Sequence, residues 1–248
     1  MNTAAAVLNP ESIFERHELK YLITARQRQQ LEQAMSGYMK PDPYGESTVC
    51  NVYYDTPDFR LIRRSLEKPV YKEKLRIRSY GQVSAGEPVF LELKKKYKSV
   101  VYKRRILLPE QAAEAFLNER SPLPEDSQIG RELSYFQWFY RDLGPAVYLC
   151  YDRVGLFSID DPGLRITFDK DICWRTEELS LTARPGGQPI LGPEQCLMEI
   201  KAGNAMPLWL TELLNRGGIC QTSFSKYGTA YETMLQEQLT KNRGVFCA

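Results

Sequence analysis

In the stretch YKEKLRIRSYG, residues 71–81, a basic side chain stands at every second position from Lys72 to Arg78. Side chains of a strand point to one face at every second residue. Lys72, Lys74, Arg76 and Arg78 therefore share a face, while Leu75 and Ile77 occupy the other. The spacing recurs in VFLELKKK, where Glu92 and Lys94 oppose Leu91 and Leu93. In LRITFD, Arg165, Thr167 and Asp169 alternate with Ile166 and Phe168, and in LMEIK Glu199 and Lys201 alternate with Met198 and Ile200. Glu18 and Lys20 form a similar pair near the start. Five segments thus carry acids and bases on faces that could converge, each backed by apolar residues.

The chemistry such faces could do is that of phosphate. Arginine presents planar donors suited to phosphate oxygens, and lysine supplies a flexible point charge. Several together could hold a triphosphate and stabilise charge during phosphoryl transfer. Carboxylates among them could hold a divalent metal that bridges phosphate oxygens. In an ordinary half-buried sheet the same face would simply meet water, and any one ExK pair is common. Repetition opposite apolar rows makes a charged tunnel the sharper reading. Neither a GxxxxGK[ST] loop nor the protein-kinase signature set is present. Nucleic acid is disfavoured as a partner, because no zinc module or RNA-binding motif accompanies the basic stretch and acids stand among its bases. A single histidine, His17, argues against a histidine-based zinc site or a catalytic triad.

Composition bounds the rest. A chain of 248 residues that is 43% hydrophobic can bury a sizeable core as one large or two small domains. The formal net charge is only +2, yet Tyr71–Arg105 holds eleven Lys or Arg against three Glu, a net of +8 that leaves −6 for the remainder. Such separation favours a local anionic ligand. Six scattered cysteines without a CxxC pair fit reduced thiols in the cytoplasm. No run of eighteen apolar residues could span a bilayer, and MNTAAAVLNPESIF lacks the features of a secretion signal. A soluble, cytoplasmic protein is expected, whose membrane attachment would need a partner protein.

These faces need strands to position them. Residues 1–12 are expected to form a flexible arm, 13–238 a single domain and 239–248 a tail. Thr24 is placed to cap a helix over ARQRQQLEQAMSGYM that ends near Gly37. Strands are expected at FERHELKYLI, STVCNVYYDT, 71–80, 89–97, 100–108, PAVYLCYDRVGLFS, LRITFDKDI and QCLMEIKA. Helices are expected at EQAAEAFLNER, RELSYFQWFYRDL, PLWLTELLNR and SFSKYGTAYETMLQEQL. Eight strands joined largely to near neighbours predict an α+β fold: an eight-stranded antiparallel β-barrel with flanking helices.

FERHELKYLI, NVYYDTPD, YKEKLRIRSYG, VFLELKKK, VYKRRI, LRITFD, LMEIK and SFSKY, in this order, resemble the VTC domain. That is the polyphosphate polymerase domain of the vacuolar transporter chaperone family, within the CYTH and triphosphate tunnel metalloenzyme superfamily. The resemblance covers about residues 14–236. It implies an antiparallel tunnel in which the γ-phosphate of ATP passes to a growing polyphosphate chain, with Mn²⁺ or Mg²⁺. By motif it gives phosphate-binding roles to Lys20, Arg76, Arg78, Lys94, Lys103 and Arg165, with Lys201 and Lys226 further along the basic path. Arg76, Arg78, Lys94, Arg165 and Glu199 would carry the catalysis. Glu199 matches the metal-binding glutamate; Glu18 and Glu92 are further metal candidates that could instead pair with neighbouring bases. Tyr53 and Tyr54 are expected to support the wall. Arg76→Ala or Arg78→Ala is expected to weaken phosphate binding with little loss of fold. A tunnel triphosphatase and a non-catalytic polyphosphate-binding sensor remain open beside the polymerase, as does a homo-oligomer or other protein partner.

Overall fold

Apolar side chains at every second position give each long strand one face that must leave water. In the computed structural model, which describes residues 17–245 apart from 99, 125 and 204, those faces meet helices. The first half of the chain forms β1 (His17–Thr24), α1 (Ala25–Ala34), β2 (Met39–Pro41), β3 (Ser47–Asp55), α2 (Arg60–Leu66), β4 (Tyr71–Tyr80), β5 (Pro88–Tyr97), β6 (Val100–Pro109) and α3 (Glu110–Glu119). The second forms α4 (Gln128–Phe139), β7 (Gly144–Ser158), β8 (Arg165–Arg175), β9 (Gln188–Pro189), β10 (Gln195–Ala202), α5 (Leu208–Arg216), β11 (Gln221–Thr222) and α6 (Lys226–Val245). The expected arm and the expected strand residues before His17 lie outside the described residues, whereas α6 runs on into the segment expected as a tail.

One antiparallel sheet contains every strand, in the order β11-β1-β10-β8-β7-β3-β4-β5-β6, with β2 added on β7 and β9 on β8. Its eight long strands are the eight expected. The sheet does not close, which corrects the expected barrel: among the described residues no ladder joins β6 to β1. The free edge of β1 is taken instead by β11, which pairs Thr222 with Lys20 and Gln221 with Tyr21. Curvature still brings the two sides together, for Glu18 on β1 reaches Lys94 on β5 at 3.7 Å.

Two apolar clusters lie on the convex side. Leu75, Ile77, Leu91 and Leu93 pack with Phe116 of α3 and Leu133 and Phe136 of α4. Tyr21, Ile23, Ile166, Phe168, Met198 and Ile200 pack with Leu31 of α1 and Leu210 and Leu214 of α5. A third cluster fills part of the concave side, where Tyr227, Ala230, Tyr231 and Met234 of α6 meet Val49, Tyr53, Val147 and Leu149. The hollow of the sheet is thus half plugged by the apolar face of α6 and half left to charged residues. No helix among the described residues is long and apolar enough to cross a membrane.

Helix ends follow local chemistry where a cap is at hand. Thr24 accepts from Gln27 N while the Gln27 side chain accepts from Thr24 N, a complete capping box. Thr24→Ala is expected to cost about 1 kcal/mol, read as a lower midpoint in urea with an unchanged slope. Helix α2 was not expected from the sequence and has no side-chain cap of its own. Its Leu61 and Ile62 N–H groups donate to Asp55 on β3, at 2.8 and 3.0 Å, and Tyr227 of α6 donates to the same carboxylate at 2.8 Å. One buried aspartate therefore ties two helices to the sheet.

Candidate active site

The charged half of the hollow is a cavity of about 1180 Å³. Its walls are β1, β4, β5, β6, β7 and β10, and the first turn of α6 forms part of its floor. Ten basic side chains and three carboxylates line it. Ten of the eleven residues singled out in the sequence are there: Glu18, Lys20, Arg76, Arg78, Glu92, Lys94, Lys103, Glu199, Lys201 and Lys226. They converge because each is on the non-helical face of its strand or at the helix start.

Arg165 is the exception. It is on the expected face of β8, but its guanidinium pairs with Asp42 at 3.1 Å and covers Phe157, away from the cavity lining. Arg153, Lys74 and Arg104 line the cavity without having been named as site residues. Lys74 could be read from the alternation that placed Arg76. Arg153 stands two residues after Tyr151 on β7, but Val147 and Leu149 make that row look apolar.

Two ion-pair clusters organise the cations. Glu92, 2% exposed, is 2.7 Å from Arg76, 2.6 Å from Lys103 and 3.9 Å from Arg78. Arg76 also donates to Tyr53 Oη at 2.7 Å, and Arg78 donates to Asn51 Oδ1 at 2.8 Å. On the other wall, fully buried Asp169 accepts from Arg153 at 2.6 and 2.8 Å and pairs with Lys226 at 2.5 Å. Glu199 takes Lys226 at 3.1 Å, Arg153 at 3.5 Å and Lys20 at 3.6 Å. Glu18 links Lys20 to Lys94 across the open side, at 3.5 and 3.7 Å. Tyr53 packs on Tyr227 at 4.7 Å between centroids, and Tyr54 is buried on the convex face.

Electrostatics follow this geometry. Burial alone would raise the Glu199 pKa, but Lys226, Lys20 and Arg153 outweigh it and hold the carboxyl well below the usual range. Glu18 is likewise drawn down to about 2, where burial is overcome by Lys94 and Lys20. Lys74 has the opposite fate. Burial, then Lys20 and Lys94, push its ammonium down to about 7, and its bond goes to the neutral Ser225 Oγ at 2.9 Å. A polyanion would restore the Lys74 proton, so binding near pH 7–8 is expected to take up protons and to weaken as pH rises above about 7. Titration calorimetry in two buffers of unlike ionisation enthalpy checks this; proton release on binding would contradict it.

A divalent metal can be tested against the same residues. Among the described residues no group of three His, Cys, Asp or Glu gathers. Glu18 and Glu199 are neighbours across the β1–β10 ladder, where Glu18 pairs with Lys201 and Lys20 with Glu199, and the charge of Glu199 works to raise the Glu18 pKa. Two carboxylates without a cage suit an ion that takes its remaining ligands from phosphate and water. Glu92, enclosed by two arginines and a lysine, suits it less.

The fold and site define an antiparallel sheet curled around a basic cavity, with its apolar face under helices. The VTC domain family model matches residues 15–235, and the chain belongs to that family. Its fold is similar to that of a candidate adenylate cyclase from Bacillus halodurans, at 16% identity and a TM-score of 0.52, over 86% of this chain and 94% of that one. A candidate adenylate cyclase from Vibrio parahaemolyticus aligns over 89% of this chain and 99% of its own at 11% identity, with a TM-score of 0.48. At such identity the likeness is one of fold alone. A search of curated sequences finds no significant match.

Proposed function

We propose that the chain is a metal-dependent polyphosphate polymerase that transfers the γ-phosphate of ATP to the end of an inorganic polyphosphate chain. The observation that carries this reading is the excess of charge. Nine basic side chains of the concave face meet four carboxylates, Glu18, Glu92, Glu199 and the buried Asp169, an excess of five cations spread over two walls. Such a cavity suits two polyanions brought end to end.

Held on one basic path, a terminal oxygen of the acceptor chain attacks the γ-phosphorus of ATP. A new P–O bond forms as the bond to the β–γ bridging oxygen breaks, and ADP leaves with that electron pair. Arg76, Arg78, Lys94 and Lys103 would bind and orient phosphate oxygens on one wall, and Lys20, Arg153, Lys201 and Lys226 on the other. The carboxylates keep these cations aimed inward when no ligand is bound. Glu199 with Glu18 would hold Mn²⁺ or Mg²⁺, which would supply Lewis-acid stabilisation of phosphate charge. No side-chain nucleophile is required.

Water as the acceptor fits less well. It would call for a general base; the cavity carboxylates are ion-paired, with Glu18 and Glu199 both held below the usual range, which leaves Lys74, drawn down to about 7 and bonded to Ser225, as the candidate for that role. ADP and orthophosphate should be followed together with ATP, Mn²⁺ and a short polyphosphate primer. ADP should accumulate without matching orthophosphate. Equal release would make the protein a phosphohydrolase, and no turnover with polyphosphate binding intact would make it a binding domain. A donor such as ATP and thiols such as Cys50, Cys150 and Cys196, free in the structure, fit a cytoplasmic setting.

A further inference from the structure

Like charges directly opposite one another on paired strands are destabilising. Strands β4 and β5 nevertheless place Lys74 opposite Lys94 and, one rung further on, Lys72 opposite Lys96. The other face of the same two strands shows the ordinary solution: Glu73 stands opposite Lys95, Tyr71 and Tyr140 donate to Glu73, and Lys95 pairs with Glu132. On the concave side Lys94 is the only one of its four lysines with an ion pair among the described residues, to Glu18. Lys72 donates only to the Ser65 carbonyl, at 3.2 Å.

Lys72 and Lys96 lie just outside the cavity lining. Lys72 remains in its field, for burial, then Lys96, Lys94 and Lys20, lower its pKa. Successive rungs on one face are about 7 Å apart along the strand, a step that a flexible phosphate chain can bridge. The mismatch of charge would be relieved by an anion spanning the rungs.

We propose that the Lys72–Lys96 rung is an outer subsite for inorganic polyphosphate, holding the part of a long chain that emerges from the cavity. This rests on the reading of the cavity as a polyphosphate site. The rung would select for chain length, since tripolyphosphate would be held within the cavity alone.

The test is the affinity of the full chain and of its Lys72→Gln/Lys96→Gln variant for tripolyphosphate and for long-chain polyphosphate, across a salt series. The variant should bind long chains about tenfold more weakly, with a shallower salt slope, and tripolyphosphate within about twofold of wild type. Its denaturation midpoint should hold or rise, because a like-charge pair is gone. An Arg26→Gln/Lys40→Gln variant, with the same charge change at exposed positions, should leave both affinities unaltered. Equal loss for both ligands, no loss for long chains, or equal loss in that charge control would overturn the subsite. Failure of the wild type to bind either ligand would overturn the cavity reading, and the subsite with it.

Discussion

Glu199→Gln is expected to lower metal-dependent phosphoryl transfer by about 100-fold or more in kcat while polyphosphate affinity holds or tightens. The two effects part because Glu199 would serve the ion, whereas the polyanion is held by the cations around it. Lys226, Arg153 and Lys20 all lie within 3.6 Å of its carboxylate. Removing its charge loosens the hold on Lys20, Arg153 and Lys226 and makes the cavity more positive. Glutamine keeps an acceptor oxygen for Lys226, and Asp169 still holds Arg153 and Lys226, so the fold should survive. Steady-state kinetics against metal concentration, set beside equilibrium binding of polyphosphate, separate the two quantities. Parallel loss of turnover and affinity would place Glu199 in structure rather than in chemistry.

The largest expected loss of stability is at Asp169. Its carboxylate is fully buried and bonded to Arg153 and Lys226 at 2.5–2.8 Å. Asp169→Ala leaves two buried cations sharing Glu199 alone, and a buried pair broken from one side costs about 3–5 kcal/mol. The loss should extend to α6, since Lys226 is its first residue and the helix plugs the hollow through Tyr227, Ala230 and Tyr231. Burial opposes the charge of Asp169, but Lys226 and Arg153 prevail and hold its pKa below the ordinary value. A group depressed in this way adds stability above its unfolded pKa, and that stability is lost as pH falls through the folded value. Wild type should therefore lose stability in acid more steeply than Asp169→Ala. Urea unfolding at neutral and acidic pH reads both effects; a difference under about 1 kcal/mol at neutral pH would contradict the assignment.

What the sequence made legible was local. Period-two alternation needs only a few residues, so the faces of Lys20, Arg76, Glu92 and Glu199 could be assigned strand by strand. What failed depended on contacts distant in the chain. Closure of the barrel is prevented where two residues of β11 take the edge of β1, and nothing in Gln221–Thr222 announces a strand. The cap of α2 is an aspartate on the preceding strand rather than a residue at the helix start.

Arg165 shows the limit of a parity argument, which gives the face of a strand and not which residues along that face meet the cavity. The arginine faces as expected but is drawn to Asp42, beside Gly155, where a Cβ would come within 3.3 Å of both side chains. Arg76 and Arg78 do more than face the cavity. Each is bonded to Tyr53 or Asn51 and lies near the buried Glu92. Alanine at either position should thus cost stability as well as phosphate affinity, and lysine is the cleaner probe of charge geometry.

The most direct measurement is incubation of the full chain with γ-labelled ATP and Mn²⁺, with and without a short polyphosphate primer, and separation of the products by length. Glu199→Gln runs beside it. A metal-dependent ladder of labelled chains that lengthens with time, and is lost in the variant, is the predicted result. Labelled orthophosphate alone, or a ladder of equal strength in Glu199→Gln, would contradict the account.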